Sequence, residues 1–410
     1  QGGMAMMLWT RGERSAGTAE MEQAAGILKA AIGSDVLRDM PATRAQLQSD
    51  LALVLMSLGT RSAGTEVLEE AAAAARAALQ VRTIEAAPMD WARLQNHLGS
   101  TLFAIGQRES QRDRLEEAVG AFRAALQVWT PQSAPMDWAN AQNNLALALG
   151  ELGSRDPDAA RLKEAVALLD TIFSVRTRQA APLYWAETHV NRGATLYHVA
   201  LRESDPHQVV AVLDDAAGSL RQALEELTRE RSPLRWAAVK DNLGLVLSTS
   251  AERTGDAAVL NEAIAAFEAA LSERTRERVP LEWAASTNNL ANAWYRYGGL
   301  THEMEHIRKA IPLYEATLEV RTRERDPGGW ASTHNNLANA LFSLGTHGDG
   351  PDALRRSAEH YRLALSGYDR TTNPIGWADT QYNLSLLLLE LGKQTSDRAV
   401  LAEALEALNA

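Results

Sequence analysis

His302-Glu-Met-Glu-His306 matches the HExxH pattern of zinc peptidases. On a continuous helix that spacing sets two imidazoles on one face as metal ligands, with the first Glu as general base. Nothing nearby supplies a third ligand or a strand to align a substrate. No metal, cofactor or catalytic residue is therefore expected, and His302 and His306 read as part of an exposed polar turn. A second chemistry lies in the asparagines, among them Asn96, Asn143, Asn144, Asn288, Asn289, Asn292, Asn335, Asn336 and Asn339. A carboxamide both donates and accepts hydrogen bonds, so a row of them could hold an extended peptide by its backbone. A third lies in the basic runs Arg229-Glu-Arg231, Arg274-Thr-Arg-Glu-Arg278 and Arg321-Thr-Arg-Glu-Arg325. These read as charge matching at helix ends, with docking of an acidic partner as the alternative. There is no Gly-rich phosphate loop, no Ser/His/Asp grouping and no paired-carboxylate motif.

The elements that must position these side chains are set by a repeat. Trp91, Trp138, Trp185, Trp236, Trp283, Trp330 and Trp377 stand 47 residues apart, except for one step of 51 between Trp185 and Trp236. Each has a proline three residues earlier, from Pro88 to Pro374, and Pro41 with Arg44 extends the register upstream. A fixed period of this length means one supersecondary unit stacked many times, a solenoid. In the unit around Trp138, Pro135 fits the first turn of a helix, where a missing N–H costs nothing. Trp138, Leu145, Leu149 and Leu152 then make an apolar stripe, and Gly153 reads as the helix end. After a polar loop, the segment from Leu162 to Thr177 repeats apolar residues at spacings of 3 and 4 and ends in cations. Each unit is thus a hairpin of helix A and helix B.

The predicted architecture is one all-α solenoid over residues 1–410. A partial unit at 4–40 precedes eight units that start near 41, 88, 135, 182, 233, 280, 327 and 374, the last incomplete. The long step places four extra residues in the A–B loop around Glu203 to Gln208. Both ends break a unit, so a piece of a longer array or multidomain protein is expected, and self-association through the incomplete terminal repeats stays open.

Composition fits a soluble, foldable chain, with 46% hydrophobic and 23% charged residues. A net charge of −11 argues against a nucleic-acid groove. Cysteine is absent, which excludes disulfides and thiolate metal sites and suits a cytoplasmic protein. No apolar run is long enough to span a bilayer, so no membrane partner is expected. Lys is only five of the 41 basic residues, and with the abundant Ala this suggests a bacterial source.

Positions on helix A are numbered here from the Trp as zero. Positions 0, 7, 11 and 14 form the expected buried stripe, and 2, 5, 9 and 12 the opposite side. Position 5 holds Asn96, Asn143, Asn288 and Asn335. Position 6, on the flank, holds Asn144, Asn191, Asn242, Asn289, Asn336 and Asn383, and position 9 holds Asn292 and Asn339. Ligand contact is favoured at 5 and 9. At position 6, ligand contact and bonding between neighbouring helices weigh equally. Aromatics at position 12, including Phe103, Tyr197, Tyr295 and Phe342, would supply side-chain pockets or inter-repeat packing.

The unit resembles the tetratricopeptide repeat. Leu98-Gly99, Leu145-Ala146, Leu243-Gly244, Leu290-Ala291 and Leu337-Ala338 match that family's helix A pair. Ala118, Phe122 and Ala125, and Ala263, Phe267 and Ala270, match its helix B trio. The departure is length, about 34 residues per repeat in the family against 47 here. The resemblance implies a right-handed superhelix whose groove is lined by the far side of helix A. The Asn-Asn-Leu-Ala strings are also similar to kinesin light chain repeats. Long-period arrays of this type are similar to those fused in bacteria to CHAT peptidases or signalling NTPases.

The function expected is a non-enzymatic scaffold or sensor that binds a protein or peptide along the helix A face. The alternative is a regulatory fragment of a CHAT-type peptidase or of a signalling or defence protein. A zinc-dependent hydrolase acting through 302–306 ranks third.

Overall fold

The computed structural model describes residues 2–15, 17–371 and 373–409. Among them there are helices and turns but no strand. The order is α1 (Gly2–Glu13), α2 (Ala19–Ile32), α3 (Pro41–Arg61), α4 (Glu66–Leu79), α5 (Pro88–Arg108), α6 (Arg112–Ala125), α7 (Pro135–Gly153), α8 (Ala160–Ile172) and α9 (Pro182–Ala200). It continues with α10 (Pro206–Ala223), α11 (Pro233–Thr254), α12 (Ala257–Leu271), α13 (Pro280–Thr301), α14 (Met304–Leu318), α15 (Pro327–Leu344), α16 (Gly350–Gly367), α17 (Pro374–Thr395) and α18 (Arg398–Asn409). The chain divides into two compact units, Gln1–Glu203 and Ser204–Ala410. The division falls in the loop where the repeat carries its four extra residues.

In Gln1–Glu203, α3, α5 and α7 each pack on the helix after them, and each of those packs on the next A helix. In Ser204–Ala410, α11, α13, α15 and α17 do the same with α12, α14, α16 and α18. Short loops make every such pair an antiparallel hairpin. The chain is an α-helical repeat array, and among the described residues no helix is long and apolar enough to cross a membrane.

Local chemistry sets the helix starts. The eight repeat prolines, Pro41, Pro88, Pro135, Pro182, Pro233, Pro280, Pro327 and Pro374, each open an A helix. From Ala87 to Asp326 the residue before the proline sits near φ −150° and ψ +65° to +74°, outside the helical region. Proline imposes that restriction on its predecessor. The Trp N–H then makes the first regular bond, as Trp138 N–H to Ala134 O at 2.8 Å.

Two expectations need correction. The glycine at position 15 ends the helix only in some repeats: α7 stops at Gly153 and α15 just before Gly345, whereas α3, α5, α13 and α17 run past Gly59, Gly106, Gly298 and Gly392. Its role is close approach of helix B. A Cβ on Gly59 would lie 2.5 Å from the Leu68 side chain, and one on Gly298 2.6 Å from Ile307. The Trp is also not uniformly part of the buried stripe. Trp138 and Trp185 are buried, but Trp91, Trp236, Trp283, Trp330 and Trp377 are half-buried. The fully buried residue is the alanine after it: Ala92, Ala139, Ala186, Ala237, Ala284 and Ala331. The small side chain lets the helices meet closely. The indole lies to one side under an arginine seven residues earlier, as in Arg178 over Trp185, Arg276 over Trp283 and Arg370 over Trp377.

Candidate functional site

Helix A is buried on two sides, because it packs on its own B helix and beside the next A helix. Position 3 is accordingly small or apolar and buried: Leu94, Ala141, Thr188, Val239, Ser286, Thr333 and Thr380. This places positions 5 and 6 at the seam between successive A helices. Asn144 Nδ2 donates to Asn96 Oδ1 at 3.2 Å, and Asn191 Nδ2 to Asn143 Oδ1 at 2.8 Å. Asn289 and Ser286 hydrogen-bond Asp241, which takes position 5 in α11. Thr333 Oγ1 lies 3.4 Å from Asn288 Oδ1, and Thr380 Oγ1 3.1 Å from Asn335 Oδ1. Asn288 is buried, and Asn335 and Asn336 are half-buried. These links join α5 to α7 and α7 to α9 in Gln1–Glu203, and α11 to α13, α13 to α15 and α15 to α17 in Ser204–Ala410.

Position 9 serves its own hairpin. Tyr314 Oη donates to Asn292 Oδ1 at 2.7 Å, and Tyr361 Oη to Asn339 Oδ1 at 2.5 Å. Both tyrosines are fully buried in the core, and burial drives their hydroxyl pKa upward. Where helix B carries Phe122 or Phe267 instead, position 9 is Ser100 or Leu245. The pairing follows from the cost of a buried hydroxyl without an acceptor. Tyr295 and Phe342 at position 12 are half-buried. Tyr295 Oη sits 3.3 Å from Ser343 Oγ of the next A helix, and Phe342 packs against the core.

The 302–306 motif does not lie on one helix. α13 ends at Thr301, His302 has φ +58°, and α14 starts at Met304. His306 Nε2 lies 2.7 Å from Glu303 Oε2, and its ring stacks on Trp294 with centroids 5.3 Å apart. Among the described residues no group of three His, Asp or Glu side chains is placed to hold a metal. The basic runs have nearby partners. Arg276 pairs with Glu319 at 2.5 Å, Arg229 with Glu273 at 2.5 Å, and Arg274 with buried Asp241 at 3.2 Å. Burial raises the Asp241 pKa, and Arg274 opposes that shift.

One opening on the helix A face lies on α5, α7 and α9. It is a groove of about 380 Å³ whose lining includes Phe103, Leu147, Gly150, Glu151, Asn191 and His198. Its cause is one residue. Position 12 holds Phe103, then Gly150, then Tyr197, so an aromatic is missing between two others. A Cβ on Gly150 would meet nothing nearer than Thr195 Oγ1 at 4.0 Å. The floor is polar: Arg155 holds Glu151 at 2.6 Å, and Gln107 reaches Glu151 at 3.4 Å. Burial lowers the His198 pKa, with Arg202 adding to the effect and Glu151 opposing it. Sequence reasoning missed Gly150, Leu147, Glu151 and His198. The legible signal was the break in the position 12 column.

No family model and no curated protein matches the chain. Several solved structures are similar to it. One is the C-terminal part of a TPR repeat-containing protein from Cytophaga hutchinsonii, with 14% identity over 75% of this chain and 93% of that one and a TM-score of 0.45. Another is the apo quorum sensor NprR from B. thuringiensis, with 13% identity over 92% and 100% of the two chains and a TM-score of 0.47. A third is a signal transduction ATPase with a tetratricopeptide repeat sensor from Pyrococcus horikoshii, with 13% identity over 95% and 55% and a TM-score of 0.39.

Proposed function

We propose that this chain is a non-enzymatic interaction module that holds a polypeptide segment on the helix A face of Gln1–Glu203. The observation that carries this is the groove at Gly150. Its volume is at the lower end of the range of ligand pockets, enough for one large side chain. Phe103 and Leu147 supply apolar surface to its lining, and Asn191, Glu151 and His198 supply polar groups. A bound aromatic residue would stand in the column that Phe103 and Tyr197 occupy on either side. The Asn links between A helices then hold the spacing of the face rather than the ligand itself. An acidic chain of net charge −11 suits a polypeptide partner better than a nucleic acid.

The test is selection of a random peptide display library on the full chain, counter-selected on the Gly150→Phe variant. Enrichment of peptides with a shared aromatic position supports the proposal. Recovery only of peptides that bind both proteins equally contradicts it.

A further inference from the structure

A second column breaks in Ser204–Ala410. At position 17, at or just past the end of helix A, Gln1–Glu203 carries Arg61, Arg108, Arg155 and Arg202. Each guanidinium reaches back to carbonyls at the end of the preceding A helix or in the turn that follows it. Arg61 Nη1 donates to Gly12 O at 3.1 Å and Ser15 O at 3.0 Å. Arg108 donates to Gly59 O at 2.9 Å, Gly64 O at 2.7 Å and Thr60 O at 3.1 Å. Arg155 donates to Ser110 O at 2.9 Å, and Arg202 to Asp156 O at 3.0 Å and to Ser154 O. The last carbonyls of a helix lack intrahelical partners and carry its partial negative charge. A planar cation with several donors satisfies them better than a point charge does.

In α13 the same position is Leu300. A pocket of about 280 Å³ opens there, against the end of α11. It is lined by Ala251 and Glu252, which correspond in the repeat to Gly59 and Thr60, the residues whose carbonyls hold Arg108. Gly255, in the left-handed conformation, ends α11 with its N–H on Ala251 O. Leu260 and Leu300 give an apolar wall of the kind that arginine methylenes cover. Arg296 also lines the pocket, but its guanidinium is paired with the Glu252 carboxylate. That pair is neutral, so the field left in the pocket is that of the helix end.

We propose that this pocket takes an arginine side chain from a partner polypeptide, which supplies the guanidinium that Leu300 does not. The inference rests on the proposal that the chain binds polypeptide, but it concerns a different site. Its test uses a small probe, so that the two fail separately. N-acetyl-argininamide is titrated into the ¹⁵N-labelled full chain and amide shifts are followed. Saturable shifts at Gly255, Gly299 and Leu300 are expected, at least about fivefold weaker with the neutral isostere N-acetyl-citrullinamide. Leu300→Arg fills the pocket from within, so it should abolish those shifts and raise the melting temperature. Gly150→Phe should leave them unchanged. Equal shifts with the citrulline probe, no saturable shift with arginine, or a Leu300→Arg protein that melts lower than the parent would each overturn the proposal.

Discussion

Gln1–Glu203 and Ser204–Ala410 are built on one hairpin and finish it differently. Both bury alanine at position 1 and a glycine against the first large residue of helix B in most repeats. Gln1–Glu203 fastens successive A helices with amide pairs, Asn96 to Asn144 and Asn143 to Asn191, and with arginine clamps at the helix ends. Ser204–Ala410 uses a buried ion pair, Asp241 with Arg274, and tyrosine hydroxyls on Asn292 and Asn339. After Arg253 its position 17 column reads Leu300, His347 and Gln394; Gln394 Nε2 reaches Gly345 O at 3.5 Å and donates to Glu390 Oε1 at 3.0 Å. The hairpin geometry tolerates either set of fasteners. Two openings lie where a column changes residue type, at Gly150 in one unit and at Leu300 in the other.

The shared skeleton gives the largest expected effect. Phe122 and Phe267 are almost fully buried at the same place in helix B, one in each unit. Phe122→Ala and Phe267→Ala should each cost about 3–5 kcal/mol in urea unfolding. A large loss in one variant and none in the other would show that this helix B position does not play the same part in both units.

Acid should weaken both units through different histidines. Burial, aided by Arg93, holds His97 at a pKa of about 4. Burial, aided by His360, does the same for His334, whose Nδ1 lies 2.9 Å from that of His360. The unfolded chain binds these protons near pH 6.5, above the folded pKa. Stability is therefore full above about pH 6.5 and is lost as pH falls toward 4, on the order of 1–3 kcal/mol per group. Thermal melts across that range should show the loss, and His97→Leu and His334→Leu should each reduce its slope. A flat profile in the parent protein would contradict the buried neutral state.

The clamps should matter in one unit only. Arg108→Leu removes three charge-assisted bonds, two to the end of α3 and one to Gly64 O in the loop after it, a loss of about 1–3 kcal/mol. Hydrogen exchange should rise around Gly59 to Gly64 and stay unchanged in Ser204–Ala410. The smallest effect distinguishes the two uses of asparagine. Asn144→Ala should cost about 0.5–1.5 kcal/mol. Asn339→Ala should cost more, because it strands the Tyr361 hydroxyl, and Tyr361→Phe added to it should restore part of the loss. Equal costs without rescue would break the distinction.

The sequence made the fold legible because its period is carried by residues with local meaning. Proline opens each A helix, and small residues mark each close approach. The site was less legible. The asparagines draw attention through their chemistry, yet amides at a seam and amides in a groove have the same sequence spacing. Only the burial of position 3 shows that positions 5 and 6 lie between helices. The position 9 asparagines were decipherable in principle, since they occur with Tyr314 and Tyr361 and not with Phe122 or Phe267. Gly150 was hidden for the opposite reason. A site made by a missing side chain leaves no residue to notice, only a gap in a column.

The central claim, that a partner side chain fills the place left at Gly150, is tested most directly by calorimetry. A library-selected peptide is titrated into the parent and into Gly150→Phe, with circular dichroism confirming the fold of both. The Cβ of residue 150 has open space around it, so the variant should fold normally. The account predicts affinity at least about tenfold weaker in Gly150→Phe. Unchanged affinity in a correctly folded variant would contradict it.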